Sequence, residues 1–371
     1  MTFSATEILF AVLLFPTVLL LINAVYNLVE APRFSAAHSS GEHTEKFISV
    51  LIPARNEEKN IAACLDSLCS QNYSKYEIIV LDDQSDDRTA EIVKEYSLRD
   101  TGIRLISGKS LPSGWLGKNW ACHQLSGEAK GEYLLFIDAD VTSHPDTLKA
   151  ANSILALYKP DMLSIFPTQT FTSFGDKFVV PLMNWLLLAF LPLKLVYASR
   201  NGSFIAANGQ FIMISRETYK KNGGHEAVKD KVVEDMETAR SVKNSGGKVM
   251  TALGYDMIYC RMYPDFISSF KGFSKNFFPG FNMHPALFVL MILFFEVLFL
   301  FPIIAVFWEP LFLVNVLAIV FIRFSVSYLS KAGILENIIL HPFQMIVLLA
   351  VGINSVYYTK KKKNVWKGRK F

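Results

Sequence analysis

The chain has 371 residues, and 37 Lys and Arg against 33 Asp and Glu leave a formal charge of +4. With 51% hydrophobic and 19% charged residues it is too apolar for a disordered chain and too weakly basic for a coat on nucleic acid. The length admits about two domains, and the apolar excess lies at the two ends, whereas residues 46–176 have the mixed composition of a soluble domain.

Residues 8–29 are apolar apart from Pro16, Thr17, Asn23, Tyr26 and Asn27. At 1.5 Å per residue they reach about 33 Å, enough to cross hydrocarbon. Because Met1 to Glu7 carry no Lys or Arg, an uncleaved anchor over 1–32 is expected rather than a signal peptide. Arg33 and Lys46 follow it, which by the positive-inside tendency places the start of the chain outside and the main domain in the cytoplasm.

Residues 47–53 form a β-rich apolar run ending in proline, followed by Arg55, Asn56, Glu57 and Glu58 and by a helix-period stretch over 61–68. The pattern recurs: 77–81 precede Asp82, Asp83, Gln84 and Ser85, and 133–137 precede Asp138, Ala139 and Asp140. Strands alternating with helices predict an α/β domain with a mostly parallel central sheet, whose ligands bind beyond the carboxyl ends of the strands. All three polar clusters fall at those ends. In the run FIDADV, Asp138 and Asp140 can converge from a turn onto a divalent cation, and oxygen-only ligands suit Mg2+ or Mn2+ holding a diphosphate. A lone DxD is equally a solvated turn or a helix cap. Cys64, Cys69, Cys122 and Cys260 show no CxxC spacing and no accompanying histidines, so neither a disulfide framework nor a zinc site is indicated, and a reducing compartment fits.

The apolar run 178–197 is interrupted by Pro181, Pro192 and Lys194, and an interfacial helix over 178–198, or a buried one, is expected there. Glu234, Asp235 and Glu237 open a helix-period segment running to Asn244, where acidic residues also serve simply to stabilise a helix N-terminus. Phe266, Phe270, Phe273, Phe277 and Phe278, interleaved with Lys271 and Lys275, read as an amphipathic membrane-interface segment over 265–284, with core packing as the alternative. Apolar stretches at 285–308, 311–329 and 338–358 make 285–359 a region of membrane helices ahead of a basic tail, 360–371. Three full crossings would carry that tail outside, against the preference of lysine clusters for the cytoplasmic face. The middle stretch, with Arg323, Ser325 and Ser327, is therefore expected not to span.

In order, IPARNEE at 52–58, LDDQSDD at 81–87, GKNWA at 117–121, DAD at 138–140, GGH at 223–225 and ED at 234–235 resemble the inverting glycosyltransferases of family 2. The similarity runs over about residues 47–278 and implies the GT-A nucleotide-sugar-binding fold, here over 46–264. It implies further that Pro53, Arg55 or Glu57 lies near the nucleotide, that Asp83 binds the uracil ring, that Lys118 approaches the nucleotide or diphosphate, and that Asp138 and Asp140 hold ribose and metal. Asp235 would be the base that takes the acceptor's proton, with Glu234 beside it at the substrate. The residue types agree, since a buried aspartate can accept a hydrogen bond from a uracil imide and a lysine supplies a point charge for phosphate. Asp82 or Asp83 as a helix cap, and Lys118 as a solvated first-turn residue, stay open.

Gly114, Trp115, Leu116, Gly117, Lys118, Ala121 and Cys122, then Arg261, Met262 and Tyr263, and the tail Val365, Trp366, Lys367, Gly368 and Arg369 are similar to carotenoid-acid glycosyltransferases and their hopanoid-associated relatives. That similarity implies transfer of glucose from UDP-glucose to a membrane-dissolved acceptor such as a carotenoid acid. The absence of QxxRW after the ED pair argues against processive polymer synthesis. A lipid acceptor also explains the apolar ends, with His225 lining its entry or serving only as a turn residue; if that acceptor is an ionised acid, Asp235 orients it instead of deprotonating it. Polyprenyl phosphate, hopanoid and diacylglycerol acceptors share every donor-side residue. A nucleotidyltransferase would need glycines that IPARNEE lacks, and an inactive membrane scaffold would leave Asp138, Asp140 and Asp235 idle.

Overall fold

The computed structural model describes residues 4–40, 43–171 and 173–361, with the backbone of 365–366 and 369–370. In chain order its elements are α1 (Ala5–Glu30), β1 (Ile48–Ala54), α2 (Ile61–Cys69), β2 (Tyr76–Asp82), α3 (Thr89–Arg99), β3 (Ile103–Ser107), α4 (Gly117–Glu128), β4 (Tyr133–Ile137), β5 (Val141–Ser143), α5 (Thr147–Tyr158), β6 (Met162–Phe166) and β7 (Thr168–Gln169). There follow α6 (Pro181–Phe190), α7 (Leu195–Ala198), β8 (Phe211–Ser215), α8 (Arg216–Lys221), α9 (Gly224–Ala227), α10 (Glu234–Asn244), β9 (Val249–Leu253), β10 (Ile258–Cys260), α11 (Phe266–Phe281), α12 (Pro285–Ala305), α13 (Leu313–Leu329), α14 (Ile334–Ile339) and α15 (His341–Lys360). They form two compact units, one of Pro32–Thr170, Lys194–Met262 and Val365–Phe371, the other of Met1–Ala31, Phe171–Leu193 and Tyr263–Asn364.

The first unit is built on a seven-stranded sheet of order β3-β2-β1-β4-β8-β6-β9. β1, β2, β3 and β4 run parallel, while β8 is antiparallel to both β4 and β6. Helices cover a sheet of this kind on both faces, so its central strands are apolar throughout rather than alternating. Accordingly Ile48, Val50, Leu51 and Ile52 of β1 are all fully buried. Pro53 is tolerated in this central strand because pairing with β4 ends at Leu51, leaving Pro53 opposite Leu81 of β2 only. A second small sheet sets β10 between β5 and β7 and pairs Cys260 with Val141, next to the DAD run.

In the second unit the stretch expected as one helix over 178–198 is broken. Pro192 lacks the N–H and the freedom to continue a helix, so α6 stops at Phe190, and α7 forms separately and belongs to the sheet unit. The carbonyls exposed at the end of α6 are taken up by α1. Asn27 Nδ2 donates to Leu188 and Leu191 O, both at 2.8 Å, its Oδ1 accepts from Leu193 N at 2.9 Å, and Asn23 Nδ2 donates to Leu188 and Ala189 O. The two asparagines that interrupt the apolar first helix thus serve another helix's end.

Among the described residues, four helices are long and apolar enough to cross a membrane: Ala5–Glu30, Pro285–Ala305, Pro310–Leu329 and His341–Lys360. The middle C-terminal stretch is one of them. The polar groups that spoke against its spanning point inward, with Arg323 2%, Ser325 0% and Ser327 2% exposed. In α11, Phe277, Phe278 and Phe281 close around Phe288 of α12 with ring centroids 5.1–5.4 Å apart, so this half of the phenylalanine series packs within the unit. Phe266 and Ile267 at its start are exposed. Of the basic tail, Lys362, Lys363 and Asn364 and the side chains of Trp366 and Arg369 lie outside the described residues.

Candidate active site

Because β1, β2 and β4 are parallel neighbours, the loops after them open on one edge, and the strand order reverses between β1 and β4, the place where such sheets form a binding crevice. Arg55, just past β1, donates through Nη1 to the carbonyls of Asp83 and Gln84, the latter at 2.8 Å, and so ties the first loop to the second. Asp83 is 1% exposed. It does not cap the next helix, whose N-cap position is Arg88 and whose Thr89 N–H donates to Asp87 at 3.0 Å. Glu57 accepts from Asn60 Nδ2 at 2.8 Å, and its N–H donates to Thr89 Oγ1 at 2.8 Å.

Lys118 stands in the first turn of α4, yet it is not a solvated residue. Its Nζ lies 2.7 and 3.0 Å from the two carboxylate oxygens of Asp138 and 3.4 Å from Glu234 Oε1. Burial works against its charge, but the carboxylates of Asp138 and Glu234 outweigh it and hold the ammonium well above the usual lysine range. β8 enters the sheet antiparallel beside β4, so the loop before it reaches the same edge. There Gly209 N donates to Asp235 Oδ2 at 2.9 Å and its carbonyl accepts from Lys118 at 3.4 Å. A Cβ on Gly209 would stand 3.1 Å from Lys118 Nζ and 3.2 Å from Glu234 Oε1. No motif in the sequence singled this glycine out; the Asn-Gly pair in Asn208 and Gly209 is at most a turn signal.

Asp235 accepts a second N–H, from Met236 at 2.7 Å. Burial, then the neighbouring Glu234 carboxylate, nevertheless push its carboxyl up to about 7. Asp140 is also raised to about 7, by burial first and then by Asp138 and Glu57. Its Oδ1 is buried without a hydrogen-bond partner. An orphaned carboxylate oxygen crowded by a second carboxylate is a hard-oxygen pair suited to Mg2+ or Mn2+. Among the described residues no third His, Cys, Asp or Glu joins the pair, so further ligands would come from water and a bound diphosphate.

His225 lies behind Lys118. Its Nδ1 is 2.8 Å from the Tyr219 hydroxyl, and its N–H donates to that oxygen at 3.0 Å. Its ring meets Phe136 edge-on at 4.7 Å. Burial, then the charges of Lys118 and His123, push the imidazole down to about 3, so it is neutral. The glycine before it is required by contact: a Cβ on Gly224 would come within 2.5 Å of the Tyr219 ring. His225 therefore has the satisfied partners of a turn residue, while it also borders the small cavity shared by Lys118, Glu234 and Asp235.

Residues 49–222 match the family model described as Glycosyl transferase family 2. The 4,4'-diaponeurosporenoate glycosyltransferase of Staphylococcus haemolyticus (strain JCSC1435) is 30% identical over 363 residues, 89% of this chain and 90% of that protein. The protein of the same name in Staphylococcus aureus (strain USA300) is 26% identical over 239 residues, 63% of this chain and 62% of that one. Among solved structures, a mannosyltransferase from Pyrobaculum calidifontis in complex with GDP-Man and Mn2+ aligns over 96% of this chain and 98% of its own, with a TM-score of 0.56 at 17% identity, a likeness of fold. A sheet with its polar crevice at the strand-order reversal, the GT-A fold of such enzymes and a relative matched over nine-tenths of its length agree: the chain belongs to glycosyltransferase family 2 and is a hexosyltransferase.

Proposed function

We propose that the protein transfers a hexose, glucose, from a UDP-sugar to a membrane-dissolved lipid acid of the carotenoid type, with inversion at the anomeric carbon. The observation that carries this reading is the convergence of Lys118, Asp138, Glu234 and Asp235 around Gly209 in a chain that aligns over 89% of its length with a 4,4'-diaponeurosporenoate glycosyltransferase.

In this reading the buried Asp83 carboxyl accepts the uracil imide N–H, and Arg55 holds the loop that presents it. Asp138 and Asp140 would hold a divalent ion, which when bound supplies positive charge against the departing diphosphate. Lys118 turns its ammonium from Asp138 toward the same phosphates. Asp235, kept in one orientation by two backbone N–H groups, faces the acceptor. With a hydroxyl acceptor it takes the proton as the new glycosidic bond forms and UDP leaves from the opposite face; with an ionised acid it orients the attacking carboxylate. UDP-sugars are cytoplasmic, so the sheet unit is placed on that side of a multi-pass membrane protein.

Incubating membranes that contain the protein with radiolabelled UDP-sugars, followed by lipid extraction, tests the reading. Label from UDP-glucose in an apolar carboxylic acid is expected. Label in a polyprenyl phosphate, hopanoid or diacylglycerol would reassign the acceptor, and no label in any lipid would refute the proposal.

A further inference from the structure

The helical unit contains a charged group for which sugar transfer has no use. Arg323, on α13, is 2% exposed. Its Nε donates to His341 Nδ1 at 2.6 Å, its Nη2 approaches Met345 Sδ at 3.8 Å, and its Cζ stands 4.9 Å from the centre of the Trp185 ring. None of these partners is an anion. The imidazole accepts at Nδ1 and is therefore uncharged, and the thioether and the indole face are neutral. Among the described residues no carboxylate is paired with the guanidinium. The indole N–H of Trp185, a fully buried residue, also lacks an acceptor.

A guanidinium cannot escape burial by losing its proton, and an ion in an apolar interior without a countercharge is costly. Ionisable groups within membrane-spanning segments accordingly pair with one another or mark ligand paths. We propose that the helical unit binds the singly charged head of an amphiphile, a lipid carboxylate or phosphodiester, on Arg323. The planar fork matches two oxygens of either head. With His341 neutral, the site carries one positive charge, which one negative charge balances and a doubly charged phosphate would exceed. Phe295 and Phe299, with ring centroids 6.2 and 5.0 Å from Trp185, make the surroundings of the guanidinium apolar. Arg323 lies six residues before the end of α13 at Leu329, about 9 Å along the helix, a depth that a head group on a flexible chain can reach. This site is independent of which acceptor the sheet unit glycosylates.

The test uses the full chain in phosphatidylcholine nanodiscs above pH 8, titrated with cis-parinaric acid, a polyene fatty acid that quenches tryptophan emission, and with its methyl ester; empty discs correct for partitioning. A second series adds phosphatidylglycerol. Wild type is expected to bind the acid about tenfold tighter than the ester, which identifies a carboxylate site, or to gain thermal stability with phosphatidylglycerol over phosphatidylcholine, which identifies a phosphodiester site. Arg323→Met should abolish the preference and Arg323→Lys retain part of it, with melting temperature as the check on folding. The wild-type comparison needs no variant. Equal binding of acid and ester without any phosphatidylglycerol effect, or a folded Arg323→Met that keeps the preference, overturns the proposal.

Discussion

The ammonium of Lys118 lies between both carboxylate oxygens of Asp138, at 2.7 and 3.0 Å, on the residue that would hold the metal. A divalent ion bound there would therefore compete with the lysine for one carboxylate until a diphosphate gave the lysine another partner. Lys118→Met should strengthen binding of Mn2+ alone by about tenfold, read by electron paramagnetic resonance, while transfer falls because the phosphates lose their point charge. Unchanged or weaker Mn2+ binding in a folded variant would show that the lysine does not compete.

Asp140→Asn should abolish the gain in UDP affinity that Mn2+ confers, since an amide lacks the charge that a hard cation demands. Transfer should fall on the order of a hundredfold or more. Calorimetric titration of UDP with and without Mn2+ checks this, and a metal-dependent gain equal to wild type would exclude Asp140 as a ligand.

Asp235→Asn should separate binding from turnover. UDP-sugar affinity stays near wild type while transfer slows by ~10² to 10⁴-fold. With saturating metal and donor and a hydroxyl acceptor, the wild-type rate should rise as pH passes through about 7, because the raised carboxyl must lose its proton before it can accept one. Single-turnover rates across pH test this, and an Asn variant with the same pH rise would assign the titration to another group.

Asn27→Leu should destabilise the helical unit by about 1–3 kcal/mol. The substitution leaves the carbonyls of Leu188 and Leu191 and the N–H of Leu193 without the partner they have at 2.8–2.9 Å. Thermal melting in detergent measures it, and an unchanged melting temperature would show that water or lipid replaces the amide.

Local pattern was enough for the backbone of the site. The apolar runs at 47–53, 77–81 and 133–137 are strands β1, β2 and β4 to within a residue or two, and the acidic start of α10 begins where its spacing indicates. Alternation and helical periods depend on neighbours a few residues away, so one chain segment contains the information. The position of Asp138 and Asp140 at a strand end, and the apolar lengths able to cross a membrane, were legible for the same reason.

Partnerships were not legible, because they follow from how strands are ordered. Lys118 could have been a solvated helix residue and Asp83 a cap; insertion of antiparallel β8 beside β4 brings Gly209 and, with it, Glu234 and Asp235 against Lys118. His225 looked equally like an acceptor contact and a turn residue, and only the Tyr219 hydroxyl shows its ring nitrogen engaged. In the helical unit, the basic tail's preference for the cytoplasmic face, with Arg323, Ser325 and Ser327, argued that the middle C-terminal stretch does not span, whereas that helix is long and apolar enough to cross and packing turns the three residues inward. Sequence determines how many polar groups a helix carries, but the neighbours that bury or satisfy them come from distant parts of the chain, so only the assembled tertiary structure decides which face each group occupies.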